Sequence, residues 1–288
     1  LKEQSLKYMY LRLCSLRCRR KIAHSGAISE ESMAGSMSLG VMESLGLDIM
    51  INGTRNQSSD RSLQIVGFES YDSGSHRLVR ECISEFSRHE WRWVTRPGRS
   101  WNWRMRTAAA ELVDRMHAEH VLDISGGQWQ PDAVFATSLL SLGDLRALLP
   151  ANIRNRPCLL YMHENQLVYP FREEHGAGGE RDLQYPITNL MSLLAADHVA
   201  WNSQWNLESF CSGIGALIDH CPDQILDGVG DRIRQHSSII WPPVRIPGDA
   251  CGAERVLHNA PSVVWPHRWE HDKNPEGLLE TARHARRA

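Results

Sequence analysis

From residue 63 onward, short apolar runs alternate with stretches whose apolar residues recur at helical spacing. Apolar runs bounded by turn residues are typical of buried strands, whereas apolar positions three and four apart indicate one face of a helix. Six segments are therefore predicted to be strands: 63–68, 90–95, 132–138, 157–162, 197–202 and 237–243. Helices are predicted over 76–89, 105–120, 142–149, 183–197 and 205–218. This alternation predicts an α/β fold with a mostly parallel sheet.

A proline-rich segment, 240–252, interrupts the alternation, and only one more strand (262–266) and one helix (274–285) are predicted after it. A single strand and helix cannot form a domain with its own core. We therefore predict a Rossmann-like domain over 61–248, followed over 249–288 by a linker and the first strand–helix unit of a truncated second domain.

The first 60 residues differ in composition from the rest of the chain. Residues 25–60 contain no aromatic residue but eight Ser and five Gly, and such a segment has little with which to build a core. We predict that 1–60 form a poorly ordered leader or linker. The chain begins with Leu1 and not with Met, which suggests a fragment.

Composition and charge narrow the class of protein. A net charge of −2 over 288 residues excludes a uniformly basic nucleic-acid coat, although a local basic patch remains possible. No apolar run approaches the roughly 18 residues of a transmembrane helix, so no membrane partner is expected. The 7 Cys are odd in number and scattered, as is typical of free thiols in a reducing compartment. The basic cluster near the N-terminus follows an apolar stretch, the reverse of a signal peptide, and a cytoplasmic location is predicted.

Ligands of open α/β sheets bind beyond the carboxyl ends of the strands, so the residues that follow each predicted strand are the candidate site. After the first strand, Gly74 in the segment 71–76 would let the backbone approach a ligand, and the helix that follows would offer free N–H groups to an anion. The segment lacks the dinucleotide fingerprint G-x-G-x-x-G, and an ordinary strand–helix turn is the favoured interpretation over a phosphate contact.

Three adjacent polar residues, His163, Glu164 and Asn165, follow the fourth strand. His163 and Glu164 could act as acid and base, or as hydrogen-bond partners of a substrate. A purely structural role at the start of the loop is the alternative.

Charged residues also follow the strand predicted at 262–266. Arg268 and Lys273 could hold a diphosphate, one as a planar fork and the other as a point charge. A metal site built from His267, His271 and Asp272 is the less favoured alternative, because Pro266 and Pro275 leave little room for a helix that would align the histidines.

Arginine and tryptophan are interleaved over residues 88–106, with six Arg, four Trp and one acidic residue. Such a mixture can bind RNA phosphates and stack on bases. Trp91 and Trp93 follow strand alternation, so at least one is expected in the core. Trp101 and Trp103 are predicted to lie in a Pro/Gly loop and to be better placed for contact.

Several of these segments occur in one order: GSH after the first strand, then SWNWRMRTAA, YMHENQLVYP, DLQYPITNLMSLLAADHVAWNSQWNLESF and WPHRWEHDKNPE. In this order they resemble the tRNA-queuosine α-mannosyltransferases, a glycosyltransferase family-4-like group with the two-domain GT-B fold. The resemblance covers the chain from about residue 63 to its end and leaves 1–60 unmatched.

The resemblance implies transfer of mannose from GDP-mannose to queuosine in tRNA(Asp), with retention of configuration and without a metal ion. It places Gly74, Ser75 and His76 in a loop facing the donor, and His163 and Glu164 along the cleft. Arg268 and Lys273 match the residues that steady the leaving diphosphate. The acceptor role of the motif residues is our own inference; these residues are Trp101, Trp103, Arg104 and Arg106.

Two departures from the family pattern bear on function. Ser73 stands where the family has glycine, which predicts a slightly different loop. The chain also ends before the acidic motif that binds the nucleotide sugar, so impaired donor binding is expected. The alternative to an active enzyme is therefore a non-catalytic tRNA-binding or folding fragment. A different nucleotide-binding α/β enzyme is disfavoured, because neither G-x-G-x-x-G nor a P-loop is present.

Overall fold

The computed structural model describes residues 61–122, 129–169, 183–219, 226–245, 265–267 and 273–285. The strands are β1 (Gln64–Asp72), β2 (Glu90–Pro97), β3 (Ala133–Thr137), β4 (Cys158–Met162), β5 (His198–Trp201) and β6 (Ser237–Ile239). The helices are α1 (Gly74–Phe86), α2 (Trp101–Ala118), α3 (Leu142–Leu148), α4 (Ala151–Arg154), α5 (Gln184–Ala195), α6 (Gln204–Ile218), α7 (Val229–Gln235) and α8 (Pro275–Ala285).

The six strands form one sheet in the order β2-β1-β3-β4-β5-β6, and every neighbouring pair is parallel. The predicted α/β fold with a parallel, Rossmann-like sheet is thus confirmed. From β1 the chain moves to one side to form β2 and then crosses back to form β3 on the other side. In such sheets this reversal opens a crevice at the carboxyl ends of the two strands that flank it, here β1 and β3.

The predicted elements differ from the observed ones mainly at their ends. Strand β1 continues to Asp72, through residues predicted to form a turn. Helix α2 begins at Trp101, four residues before the predicted start, so the placement of Trp101 and Trp103 in a loop was wrong. The early start buries Arg104 and Met105 against the sheet. Helices α4 and α7 were not predicted, because four and seven residues are too short for a clear helical period.

Apolar side chains pack on both faces of the sheet, because successive strand residues point to opposite sides. The larger core joins residues such as Val66, Phe68 and Ala136 to the apolar faces of α2, α3, α5 and α6. The smaller core joins Ile65 and Phe135 to α1. The site described below lies at the edge of the smaller core.

A tryptophan pair covers the outer part of this smaller core. Trp91 and Trp93 stack with ring centroids 5.1 Å apart, and the edge of Phe135 meets both rings. Gly67 is paired with Trp93 in the neighbouring strand, and a Cβ atom at Gly67 would collide with the Trp93 ring. Both tryptophans pack against the core, as the sequence predicted for at least one of them.

The described residues bear on two features of the chain, its cysteine thiols and the length of its apolar helices. Cys82, Cys158 and Cys211 are all buried free thiols, as predicted. Burial raises the pKa of Cys158 to about 12, despite the opposing charge of Arg146, so this thiol stays protonated. Within the described ranges, no helix combines the length and the apolar character that spanning a bilayer would require.

Candidate active site

Polar side chains line up on one face of the sheet where β1, β3 and β4 end. Phe68 pairs with Ala136 and Thr137 with Tyr161, so Glu69, one residue further along β1, shares a row with Thr137 and Tyr161. Side chains in such a row point to the same face. This face is the one covered by α1, whose first turn contributes His76.

Glu69 and His76 form a buried pair at the carboxyl end of β1. The Glu69 side chain is 1% exposed, and its two carboxylate oxygens each lie 3.2 Å from Nδ1 of His76. The backbone N–H of Tyr71 donates a further bond of 2.7 Å to the carboxylate. Burial lowers the pKa of His76, but the charge and hydrogen bond of Glu69 outweigh it and raise the pKa above its ordinary value. The imidazolium form of His76 is therefore favoured.

His163, directly after β4, stacks on His76. The ring centroids are 3.7 Å apart and the planes differ by 19°, while the edge of Tyr161 meets His163 at 4.8 Å. Burial and then the positive charge of His76 hold the pKa of His163 well below its ordinary value, so His163 is neutral. Its buried Nε2 atom has no hydrogen-bond partner among the described residues.

An amide network fixes the backbone that carries His163. Asn165 donates to the side-chain oxygen of Asn206 at 2.6 Å, and Asn206 donates to the carbonyl of Met162 at 3.1 Å. The Asn202 side chain donates to the carbonyl of His163 itself. Because buried amides without partners are costly, this network resists rearrangement and holds the His163 ring in place.

Glu164 lies beside the pair of histidines. It is half-buried and accepts a 3.1 Å hydrogen bond from the Gln166 side chain, and its charge also raises the pKa of His76. The structure thus brings together three of the residues singled out in the sequence, His76, His163 and Glu164. The role of each in chemistry stays a prediction.

The turn after β1 leaves open space next to this cluster. Gly74 has φ of +52°, a conformation that favours glycine, and a Cβ atom there would meet nothing within 4 Å. Ser73 has φ of −155° and ψ of 156°, an extended conformation that serine adopts without strain. The departure from the family glycine at Ser73 therefore costs nothing in backbone energy. Ser75 is exposed at the start of α1.

Two buried hydroxyl groups lie at the end of β3. Thr137 and Ser138 are each 1% exposed, and their hydroxyl oxygens have no hydrogen-bond partner in the described part of the chain. Buried hydroxyls normally have partners, and exceptions concentrate at functional sites. The sequence pattern does not single out these residues, because Thr137 and Ser138 look like ordinary residues at the end of an apolar strand.

An aromatic cluster lies where α2 and α5 begin. Trp101 contacts Tyr185 at a centroid distance of 5.1 Å and Tyr169 at 6.4 Å, and the Arg106 guanidinium lies 4.8 Å above the Tyr185 ring. Trp103 is 60% exposed, more than Trp101. The sequence motif pointed to both tryptophans and to Arg106, but not to the two tyrosines, which are distant in the chain.

Arg104 occupies a different position from its neighbours in the motif. It is buried and donates to Glu111 at 2.6 Å, and Arg96 pairs with the same carboxylate at 2.8 Å. The Thr107 hydroxyl donates to the other oxygen of Glu111 at 2.8 Å. The Arg104 charge is thus already engaged within the fold, and its side chain joins α2 to β2. The predicted contact of Arg104 with an acceptor stays a prediction.

We expect this ion pair to make stability depend on pH. Burial raises the pKa of Glu111, but the Thr107 hydrogen bond and the charges of Arg104 and Arg96 outweigh it, so the folded-state pKa is below the ordinary value. A depressed carboxyl pKa stabilises the fold above the unfolded-state value of roughly 4.3, and this stability is lost as the pH falls through the folded-state pKa. Glu111→Gln should remove that acid-dependent loss.

At neutral pH, Glu111→Gln should also lower the free energy of unfolding by about 1–2 kcal/mol, because Arg104 loses its partner while solvent still screens the site. Urea unfolding between pH 3 and pH 7 measures both effects. Glu119→Gln is the matched control, since Glu119 forms an exposed pair with Arg115 on the same helix. Equal effects of the two substitutions would contradict the assignment of Glu111 as the stabilising partner of Arg104.

The residues predicted to bind the diphosphate are only partly described. Arg268 lies outside the described residues, as do His271 and Asp272 of the alternative metal site and residues 262–264 of the predicted strand. Lys273 is half-buried and directly precedes Asn274 and helix α8. The predicted role of Arg268 and Lys273 in holding a diphosphate therefore stays a prediction.

The histidine cluster contains residue types that can bind a metal ion. Ligand atoms of Glu69, His76 and His163 lie within 4.8 Å of one another. A metal ion needs imidazole lone pairs that converge on one point. Here the two rings are nearly parallel and stacked, so their in-plane lone pairs run side by side, and Nδ1 of His76 already contacts Glu69. The geometry fits a hydrogen-bonded, stacked pair better than a metal centre.

The sheet is parallel and Rossmann-like, and a cluster of ionisable side chains lies at its topological switch point. These features define an α/β domain of the kind that binds ligands at its strand ends. Comparison with known families identifies which one. Residues 64–244 match the family described as tRNA-queuosine alpha-mannosyltransferase N-terminal. This region contains all six strands and every residue of the cluster, and the chain belongs to this family.

A curated relative supports the same assignment. The chain is 34% identical over 231 residues to the tRNA-queuosine alpha-mannosyltransferase of Drosophila melanogaster, a match that covers 75% of this chain and 56% of the relative. The chain thus spans little more than half the length of that protein. The resemblance stated from the sequence motifs is confirmed at the level of the family.

Proposed function

We propose that this protein is a glycosyltransferase that moves mannose from GDP-mannose to queuosine in tRNA(Asp), with retention of configuration, and that residues 61–248 form its acceptor domain. The observation that carries the proposal is the family match over 64–244, which includes the clustered His76, His163 and Glu164 at the sheet's switch point. A neutral imidazole and a carboxylate at this edge are suited to a reaction between hydroxyl groups and a sugar.

The reaction replaces the bond between the sugar and the diphosphate oxygen by a bond between the sugar and an acceptor hydroxyl oxygen. The acceptor hydroxyl loses a proton, and the leaving diphosphate gains negative charge. In our proposal neutral His163 accepts the hydroxyl's hydrogen bond and, as the new bond to the sugar forms, takes its proton, which it then releases to solvent. Arg268 and Lys273 would stabilise the charge that grows on the leaving group, as fixed cations do in such steps.

The acceptor would bind along the aromatic cluster. Trp101, Trp103 and Tyr185 offer flat surfaces for nucleotide bases, and Arg106 adds positive charge next to the Tyr185 ring. Single-stranded loops such as an anticodon expose bases that can stack in this way. On the donor side, the open space at Gly74 and the exposed Ser75 would face the nucleotide sugar.

We also propose that the reaction needs no resident metal ion and takes place in the cytoplasm. The stacked histidines, whose lone pairs do not converge, support the first statement. The buried free thiols, together with the tRNA acceptor, are consistent with the second.

The test is to incubate the protein with GDP-mannose and tRNA(Asp) containing queuosine, and to analyse the digested nucleosides by mass spectrometry. We expect queuosine to gain one hexose. tRNA(Asp) that contains guanine at the modified position is the matched control and should gain none. Binding of tRNA without any hexose gain would support the alternative, a non-catalytic tRNA-binding fragment. Neither binding nor transfer would argue against both.

A further inference from the structure

We propose that Glu69 is a positioning residue: its buried carboxylate keeps the one proton that the stacked rings share on His76, and so keeps His163 neutral. No sequence motif points to Glu69. The proposal deepens the function proposed above and rests on it for its consequence in catalysis, whereas the position of the proton can be tested without any substrate.

The buried carboxylate of Glu69 needs a compensating positive charge. Its side chain is 1% exposed, at the end of a strand whose preceding residues are fully buried. A buried carboxylate is costly unless an opposite charge or several donors reach it. The backbone N–H of Tyr71 supplies one donor, at 2.7 Å, and Nδ1 of His76 is the other, at 3.2 Å. An imidazolium at His76 neutralises the buried charge.

The two stacked histidine rings cannot both be protonated at neutral pH. His76 and His163 stack at 3.7 Å with nearly parallel planes. At that separation two positive charges repel strongly in a poorly solvated site, so protonation of one ring opposes protonation of the other. The pair therefore carries no more than one proton at neutral pH.

The contacts of the two rings decide which of them holds the proton. Only His76 touches the Glu69 carboxylate, whereas His163 meets the aromatic edge of Tyr161. The other acidic groups near His76 also favour its charged form, and the nearby arginines are already paired with Asp72. The acidic groups are Asp72 on β1 and Glu164 after β4, and the arginines are Arg77 and Arg80 on α1. The Tyr71 ring lies 5.7 Å from the His76 ring.

The consequence is a fixed division of roles between the two histidines. His76 is a cation that is tied to Glu69, and His163 is a neutral imidazole that can accept a hydrogen bond. In the proposed transfer, the neutral form of His163 is the active one. Without the Glu69 charge, the proton would bind His76 less tightly and the repulsion that keeps His163 neutral would weaken.

The experiment is a pH titration of this chain labelled with ¹⁵N-histidine and followed by NMR. Resonances are assigned with the variants His76→Gln and His163→Gln. In the unsubstituted protein we expect His76 to titrate above the ordinary histidine value of roughly 6.5 and His163 to stay neutral well below it. In Glu69→Gln we expect the proton affinity of His76 to fall at least tenfold and that of His163 to rise.

Two controls separate this effect from general loss of charge or of structure. Glu85→Gln removes an exposed carboxylate from the same helix as His76 and should leave both titrations unchanged. Glu69→Asp should retain part of the effect. If Glu69→Gln does not fold, as judged by circular dichroism, His76→Gln provides the second test, because loss of the neighbouring charge should raise the pKa of His163.

Identical titrations of both histidines in Glu69→Gln and in the unsubstituted protein would overturn the proposal. So would a proton that resides on His163 rather than on His76. In the transfer assay, the acid limb of the pH profile should shift to higher pH in Glu69→Gln by the same amount as the pKa of His163. Failure of the unsubstituted protein to transfer mannose would contradict the proposed function but leave the NMR result unaffected.

Discussion

Replacing His163 by Gln is expected to lower the rate of mannosyl transfer at saturating substrate by at least about a hundredfold, the lower end of the effect of losing an acid–base group. Gln keeps hydrogen-bonding atoms but cannot take a proton from the acceptor hydroxyl. The amide network of Asn165, Asn202 and Asn206 holds the backbone at this position, so the substitution should leave the loop in place. KM for the tRNA should change much less than kcat.

The measurement is steady-state transfer of labelled mannose to queuosine-containing tRNA(Asp). His117→Gln is the matched control, since His117 is exposed near the end of α2, outside the cluster, and its substitution should keep the full rate. An unchanged kcat in His163→Gln would show that the neutral imidazole takes no part in the reaction. A rise in KM alone would assign His163 to binding.

Trp201→Ala is expected to lower the free energy of unfolding by about 3–5 kcal/mol, as is typical when a large buried aromatic side chain is truncated. Trp201 is fully buried in β5, contacts Phe210 at a centroid distance of 5.9 Å and donates from Nε1 to the Ser237 hydroxyl at 2.9 Å. Truncation would leave a cavity in the larger core and remove a side-chain hydrogen bond that joins β5 to β6.

Urea unfolding followed by far-UV circular dichroism measures this loss, because removal of a tryptophan also alters the fluorescence. Trp241→Ala is the control: Trp241 follows β6 but is 64% exposed, and its substitution should change stability by no more than about 0.5 kcal/mol. A loss of less than about 1 kcal/mol in Trp201→Ala would mean that the core around β5 is not packed as described.

The strands were predictable because their information is local. Five of the predicted segments are short apolar runs and the sixth, 90–95, alternates apolar and polar residues; each became a strand within a few residues of its predicted ends. The residues that follow the first and fourth strands were also predictable as a candidate site, because strand ends of parallel sheets meet at one edge. The long motifs led to the family that the comparison confirmed.

Three features of the site were missed for a common reason. A glutamate at position 69 follows an apolar run and looks like the start of a turn, whereas it is the buried partner of His76. Arg104 looks like one more exposed cation of an Arg/Trp segment, but helix α2 starts early enough to turn it toward Glu111. Tyr185 joins Trp101 across a long stretch of chain. Each depends on a partner that is distant in the sequence or on the phase of a helix.

The sequence by itself determined the class of fold, the approximate strands and helices, the strand ends near which His76 and His163 lie, and the family. These properties follow from local periodicity and from motifs that can be read in order. Only the tertiary structure decided that β1 lies between β2 and β3, that the two histidine rings stack, and that Glu69 is the carboxylate that supports them. Pairing of strands and contacts of side chains depend on how the helical crossovers return the chain to the sheet, and local periodicity does not encode that path.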